Sequence, residues 1–75
     1  MEKDPKTALK ELADQGQIGA PDYNTQRHGG TEHEPGWTCT VRLPTGESAE
    51  GVGNSKVEAE KRAAAALLQK MKRAG

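Results

Sequence analysis

An alanine-rich helix near the end of the sequence is the feature that most restricts the fold. The helix is predicted to begin at Ser55, and Ser55 and Glu58 have the spacing of a capping box. One side of it carries mostly small apolar side chains, namely Ala59, Ala63, Ala66, Leu67 and Met71, while charged residues occupy the other side. Because alanine side chains are so short, this helix must approach its packing partner very closely.

The clearest strand in the sequence spans residues 37–43. Apolar and polar residues alternate along it, so that one face is formed by Trp37, Cys39, Val41 and Leu43. Turn residues at 44–46 follow, and residues 47–52 can return as a weaker strand. An earlier short strand is predicted at about residues 23–28.

A first helix is predicted at residues 5–15, with Asp4 as its cap and Pro5 at its first position. The element order is therefore helix, strand, strand, strand, helix. This order predicts an α+β domain over residues 4–72, in which two helices pack on one face of a three-stranded antiparallel sheet. Residues 1–3 and 73–75 are expected to be flexible ends. We assign to the core Leu9, Leu12, Tyr23, Trp37, Ala59, Ala63 and Leu67.

The core of such a domain must be small. The 75 residues include nine Leu, Ile, Val or Phe side chains and ten alanines, so stability is expected to be modest. No run approaches the roughly 20 apolar residues of a membrane span, and the N-terminus lacks the apolar stretch of a signal peptide. The single cysteine, Cys39, excludes an internal disulfide framework, and we expect a cytoplasmic protein without membrane association.

Charge is distributed unevenly along the chain. Residues 1–54 carry 5 basic and 9 acidic side chains, whereas residues 55–75 carry 6 basic and 2 acidic ones. A polyanion responds to local field rather than to the net charge of zero. A solvated basic helix face would give the same distribution, so charge alone does not decide the partner.

The sequence indicates a binding module rather than an enzyme. Gly51 and Gly53 could begin a dinucleotide-binding fingerprint, but its third glycine would stand at position 56, which is occupied by Lys56. His28, His33 and Cys39 have no recognised metal-ligand spacing. No nucleophile, base and orienting group come together, so we expect no catalysis, metal ion, cofactor or small-molecule ligand.

Several motifs resemble those of double-stranded RNA-binding domains. The start of the last helix is similar to the family's pattern through Gly51-Val52-Gly53-Asn54-Ser55-Lys56, Ala59 and Ala63-Ala64. Pro21 and Tyr23 match the entrance to its first strand, and Gly30-Thr31-Glu32-His33 followed by Trp37 resembles its loop before the second strand. Within the family the sequence is most similar to the C-terminal RNA-binding domain of bacterial ribonuclease III, through residues 4–7 with Leu9 and Glu11, and through residues 58–61.

The resemblance implies double-stranded RNA as the partner, recognised by shape over about 16 base pairs. The first helix would contact one minor groove through Thr7, Lys10 and Glu11. The loop with Gly30 and His33 would enter the next minor groove. Phosphates across the intervening major groove would meet the start of the last helix, through Asn54, Ser55, Lys56 and Lys61.

Some residues depart from the family pattern. Val57 stands where a second lysine is usual, Gly30 replaces the loop proline, and Glu32 and Glu34 flank His33. The valine removes a positive charge and the two glutamates add negative charge at the implied interface, which predicts weaker RNA affinity than a fully basic member would have.

Three functions remain open from the sequence. The first is a non-catalytic domain that delivers RNA to a ribonuclease III-like endonuclease on the same polypeptide, with homodimerisation possible through that parent protein. The second uses the same fold for protein–protein association. The third is a standalone RNA-binding regulator.

Overall fold

The computed structural model describes residues 4–28 and 36–74, with the side chains of residues 73 and 74 excepted. Its elements follow the predicted order: α1 (Pro5–Asp14), β1 (Asp22–Arg27), β2 (Trp37–Arg42), β3 (Ser48–Gly53) and α2 (Lys56–Ala74). The predicted flexible residues 1–3 and 75 lie outside the described residues. Flexibility of residues 73 and 74 stays a prediction, although the backbone of α2 continues through Ala74.

Local chemistry favours the start of both helices and the end of α1. The Asp4 side chain accepts a hydrogen bond of 2.9 Å from the backbone N–H of Lys6, and Pro5 supplies a preset backbone angle at the start of α1. Gly16 follows α1 with a φ of 76°, a conformation that glycine adopts without a steric penalty. At α2, the Ser55 hydroxyl accepts a bond of 3.2 Å from the N–H of Glu58.

The three strands form an antiparallel sheet in the order β1-β2-β3. The central strand β2 pairs Val41 with Tyr23 on one side and with Ala49 on the other. The hairpin between β2 and β3 closes where the N–H of Leu43 donates to the Glu47 carbonyl at 2.8 Å. Alternation along β2 places Cys39 and Val41 inside and Arg42 outside, as the sequence predicted.

Among the described residues, the buried core comprises nine side chains: Leu9, Cys39, Val41, Leu43, Ala49, Ala59, Ala63, Ala64 and Leu67. Tyr23 and Trp37, which were assigned to the core, are half-buried and pack against this cluster. Leu12 is also only half-buried, because α1 packs against α2 and presents Leu9 rather than Leu12 to the centre.

The apolar side of α2 is wider than the predicted stripe. Ala59, Ala63 and Leu67 are buried as expected, whereas Ala66 and Met71 are half-buried and Ala64 is an unpredicted core residue. The reason is that α2 packs against two partners, the sheet and α1. A helix packed on two sides buries more of its circumference than a single stripe.

The backbone of α2 rests directly on β3. A Cβ atom added at Gly51 would collide with the backbone N of Ala63 and would lie 2.7 Å from the carbonyl oxygen of Ala59. A Cβ atom at Gly53 would lie 2.7 Å from the backbone N of Ala59. The close approach predicted from the alanines of α2 therefore also requires glycine on the facing strand.

Side chains of α2 also cover the outer edge of β3. Arg62 Nη1 donates to the Val52 carbonyl at 3.0 Å, and Lys70 Nζ donates to the Ser48 carbonyl at 2.6 Å. In an antiparallel ladder every second residue turns its backbone groups away from the neighbouring strand, and the pairing places Ser48 and Val52 in that set. These two cations thus occupy acceptors that an added strand would otherwise use.

The contact at Gly51 predicts a large cost for adding a single methyl group. Gly51→Ala should lower the free energy of unfolding by about 3 kcal/mol or more, because neither the α2 backbone nor β3 can move without disturbing the core. The measurement is urea unfolding followed by circular dichroism. Gly36→Ala is the control, since among the described residues its added Cβ atom would be nearest to the His28 carbonyl oxygen, at 3.9 Å, and its effect should stay within about 1 kcal/mol. Equal effects of the two substitutions would contradict the packing argument.

Candidate nucleic-acid interface

The predicted RNA-contacting residues fall on three parts of the chain. We define the α1 face as Thr7, Lys10 and Glu11, and the α2 end as Asn54, Ser55 and Lys56. Gly30 and His33, with the acidic Glu32 and Glu34, lie outside the described residues, so their predicted role stays a prediction.

The α1 face is presented by a helix that is anchored on its opposite side. Leu9 is fully buried, which leaves Thr7 and Lys10 exposed and Glu11 half-buried. Helical spacing of three and four residues brings these three side chains together. Beside them runs a groove of about 380 Å³, bounded across from Thr7 and Lys10 by Pro21 and Tyr23. The surface offers hydroxyl, ammonium and carboxylate groups, which can bond to ribose hydroxyls.

The α2 end combines a helix N-terminus with exposed polar side chains. Asn54, Ser55 and Lys56 are all exposed, and the amides of the first helical turn carry partial positive charge. Only the serine half of the predicted capping box is seen here, since Glu58 Oε1 bonds to Arg62 Nη2 at 2.7 Å. Such an end is suited to an anion. Val57 beside it is 55% exposed, as predicted from its position off the apolar stripe.

Most of the cations near this surface already have anionic partners. Lys6 pairs with Glu60 at 2.7 Å, Lys61 with Asp4 at 3.2 Å and Arg62 with Glu58 at 2.7 Å. Lys61 was predicted to contact phosphate, and it would have to exchange Asp4 for the phosphate to do so. Within residues 4–28 and 36–72, Lys10 and Lys56 make no ion pair. Neither lysine would have to leave a carboxylate partner in order to contact an anion such as a phosphate.

The two surfaces are joined by contacts between the starts of α1 and α2. Glu60 Oε1 accepts from Lys6 Nζ, and Glu60 Oε2 accepts from the Thr25 hydroxyl at 3.2 Å. The Lys6 ammonium also lies 5.4 Å from the centre of the Tyr23 ring, within the range of a cation–π interaction. We call Lys6, Thr25 and Glu60 the Glu60 cluster. It connects α1, β1 and α2.

Electrostatics in this region favour the charged forms of two carboxyl groups. The hydrogen bond from the Lys6 ammonium holds the pKa of Glu60 below its ordinary value, and Thr25 and the nearby Lys56 charge act in the same direction. The pKa of Asp4 is also lowered, chiefly by the hydrogen bond from the backbone N–H of Lys6 and further by Lys61. Burial raises the pKa of the Tyr23 phenol.

Sequence reasoning did not identify the roles of Lys6, Thr25 and Glu60. Lys6 and Glu60 are 54 positions apart, and no periodicity of a single element relates residues on different elements. The sequence signal was the acidic residue at position 60, where eukaryotic members of the family that the sequence resembles more often carry a lysine, but its partner could not be named from the sequence.

Among the described residues, the sheet face away from the helices carries no helix N-terminus and none of the predicted RNA-contacting side chains. Its outward residues are mainly polar, including Asn24, Gln26 and Thr40, and the His28 ring bonds to the Thr38 hydroxyl at 2.8 Å.

Cys39 is a buried free thiol. In the part of the chain that the structure describes, no three His, Cys, Asp or Glu side chains are grouped to hold a metal ion. Neither described helix is long and apolar enough to pass through a bilayer.

Comparison with known proteins identifies the family of this chain. The family described as the double-stranded RNA binding motif matches residues 5–71. The chain belongs to the double-stranded RNA-binding domain family. The predicted family and α+β fold are thereby confirmed.

Similar proteins include several bacterial enzymes named Ribonuclease 3. The chain is 42% identical to that of Nitrobacter winogradskyi over 66 residues, which cover 88% of this chain and 25% of that protein. It is 41% identical to that of Rhodobacter capsulatus over 71 residues, 95% of this chain and 31% of that protein. It is 44% identical to that of Mesorhizobium japonicum over 66 residues, 88% and 30% of the two chains. The chain therefore spans about a quarter to a third of these relatives, and the predicted likeness to bacterial ribonuclease III is confirmed.

The Glu60 cluster predicts a dependence of stability on pH. The ordinary pKa of Glu60 is 4.5, and its folded value is lower, so the stabilisation is fully present above about pH 4.5 and is lost as the pH falls through the folded pKa. We expect the free energy of unfolding to decrease below pH 4.5, and Glu60→Gln to make that decrease shallower. Urea unfolding across the acid range measures both.

Glu50→Gln is the matched control for this experiment. Glu50 is exposed on the outer sheet face and makes no ion pair with the residues that the structure describes. The Glu50→Gln substitution therefore removes the same charge without breaking the Glu60 cluster. If Glu60→Gln and the wild type show the same acid dependence, the Lys6 contact does not stabilise the fold.

Proposed function

We propose that this domain binds double-stranded RNA by its shape. The observation that carries the proposal is that the starts of both helices meet, through Lys6–Glu60 and Asp4–Lys61, so that the α1 face and the α2 end form one polar surface. Duplex RNA hides its base edges in a narrow major groove and displays ribose hydroxyls in a shallow minor groove. A surface of polar groups at fixed separation suits such a target better than an apolar one would.

In this proposal each part of the surface has a separate task. Thr7, Lys10 and Glu11 bond to 2′-hydroxyls in one minor groove. The α2 end meets phosphates across the major groove, where the Lys56 charge adds to the positive end of the helix dipole. Lys61 adds a phosphate contact after leaving Asp4. Gly30 and His33 enter the next minor groove.

We further propose that the domain is the non-catalytic, RNA-binding part of a ribonuclease III-like endonuclease. Support comes from relatives named Ribonuclease 3, of which this chain covers about a quarter to a third. The metal-dependent chemistry would belong to another domain of that enzyme, and the RNA-binding domain would raise the local concentration of substrate. Dimerisation through the parent protein and a cytoplasmic location are part of the same proposal.

A second function, association with another protein, is favoured by two features. Val57 and Val52 are large apolar residues that are 55% and 42% exposed, and three cations near the proposed interface are neutralised by carboxylates. An RNA titration distinguishes the two functions.

The main prediction concerns the choice between RNA and DNA. The domain should bind RNA duplexes of about 16 base pairs or more, and bind DNA duplexes of the same sequence much more weakly, because the α1 face needs 2′-hydroxyls in a shallow groove. Fluorescence anisotropy titrations with both duplexes test this. Equal affinity for the two would show that only charge attraction is involved.

The α2 end is tested by changing its charge. Val57→Lys adds a positive charge opposite the phosphates, so it should tighten RNA binding and steepen the salt dependence by about one unit of slope. Lys56→Ala should do the reverse. A cation at a helix start lowers stability by roughly 0.3 to 1 kcal/mol. We expect Val57→Lys to fold despite this cost, and circular dichroism would check that it does.

Val52→Lys is the matched control for Val57→Lys. Val52 is exposed on the outer sheet face, so the variant adds the same charge away from the α2 end. It should change RNA affinity and salt slope much less than Val57→Lys does. If the two lysine variants behave alike and Lys56→Ala binds as well as the wild type, the α2 end does not face RNA.

A further inference from the structure

Apolar packing alone anchors α1 weakly. The helix has ten residues, which is shorter than the about 12 to 15 residues at which isolated helices become even marginally stable. Leu9 is its only fully buried residue among those the structure describes. One buried leucine fixes the distance of α1 from α2, but it leaves rotation and sliding of the helix weakly restrained. Another set of contacts must fix those movements.

The Glu60 cluster supplies such contacts. Only 12% of the Glu60 side chain is exposed, and both carboxylate oxygens are used, one by Lys6 of α1 at 2.7 Å and the other by Thr25 of β1 at 3.2 Å. Position 60 lies four residues before the buried Ala64, so it shares the side of α2 that Ala64 presents to the interior. Two directional bonds to different elements fix the position of Glu60 between them.

The Lys6 end of the cluster is fixed as well. Its ammonium approaches the Tyr23 ring, and the backbone N–H of Lys6 is held by Asp4, which in turn pairs with Lys61 of α2. Thr7 follows Lys6 directly in α1. Movement of Lys6 would therefore displace the α1 face relative to Lys56 at the α2 end.

We propose that Glu60 is a positioning residue for RNA recognition, one that holds the α1 face at the correct distance and angle from the α2 end. The inference rests on the proposed function and deepens it. Minor-groove hydroxyls and the phosphates across the major groove stand at a separation set by A-form geometry. A domain whose two contact surfaces keep that separation binds RNA without first ordering α1, whereas a looser α1 would fit the grooves of RNA and DNA less selectively.

Charge and positioning predict opposite results for Glu60→Gln. The substitution removes a negative charge close to the proposed phosphate contacts and releases Lys6, so electrostatics alone would strengthen binding to RNA and DNA alike. Loss of positioning would instead weaken RNA binding by about fivefold to tenfold and reduce the preference for RNA over DNA. The sign of the change distinguishes the two explanations.

Two further variants accompany Glu60→Gln. Glu58→Gln removes a carboxylate from the same helix, but one whose partner Arg62 is also on α2, so it should not reduce the preference for RNA. Thr25→Val removes the β1 bond without any change of charge and should weaken RNA binding by about twofold to fivefold. Thr25→Val decides the question if Glu60→Gln fails to fold by circular dichroism.

The test is a set of anisotropy titrations of each variant with RNA and DNA duplexes of one sequence. The double variant Lys6→Glu with Glu60→Lys reverses the ion pair and should recover part of the RNA affinity that Glu60→Gln loses. If the wild type prefers RNA, and if both Glu60→Gln and Thr25→Val keep its RNA affinity and its preference for RNA, the positioning role alone is overturned. A wild type without any preference for RNA would overturn the proposed function and this inference with it.

Discussion

The direct contact between the backbone of α2 and the glycines of β3 is the constraint on which the rest of the structure depends. With nine large aliphatic residues in 75, the domain cannot fill a thick core. Ala59 and Ala63 on the helix and Gly51 and Gly53 on the strand bring the two layers so close that little volume remains to fill. Close packing then replaces large side chains as the source of dispersion contacts.

This short separation determines where the polar groups of α2 lie. Arg62 and Lys70 are near enough to β3 to bond with its edge carbonyls, and Glu60 is near enough to β1 to bond with Thr25. The same helix therefore buries its alanines, covers one sheet edge and holds α1. A larger residue at Gly51 would disturb all three, because they share a single rigid helix.

Net charge says little about what this domain can bind. Its balance is zero, and Lys6, Lys61 and Arg62 are paired with carboxylates. Those pairs join elements or brace α2, whereas Lys10 and Lys56 are among the cations that make no ion pair in the described part of the chain. For a target recognised by shape, the spacing of the contact surfaces matters more than the number of charges. Several charges of the domain therefore serve to hold its helices and strands in place.

The sequence by itself determined the elements and the family, because these depend on local patterns. Alternation from Trp37 to Leu43, the caps at Asp4 and Ser55, and the alanines of α2 each act within one element and could be interpreted in isolation. Tertiary structure alone decided which of these residues meet. Leu12 is half-buried and Ala64 is buried because α2 packs against α1 as well as against the sheet. Glu60 bonds to Lys6 and Thr25 because folding brings three distant segments together, and no periodicity within one element records a contact between elements.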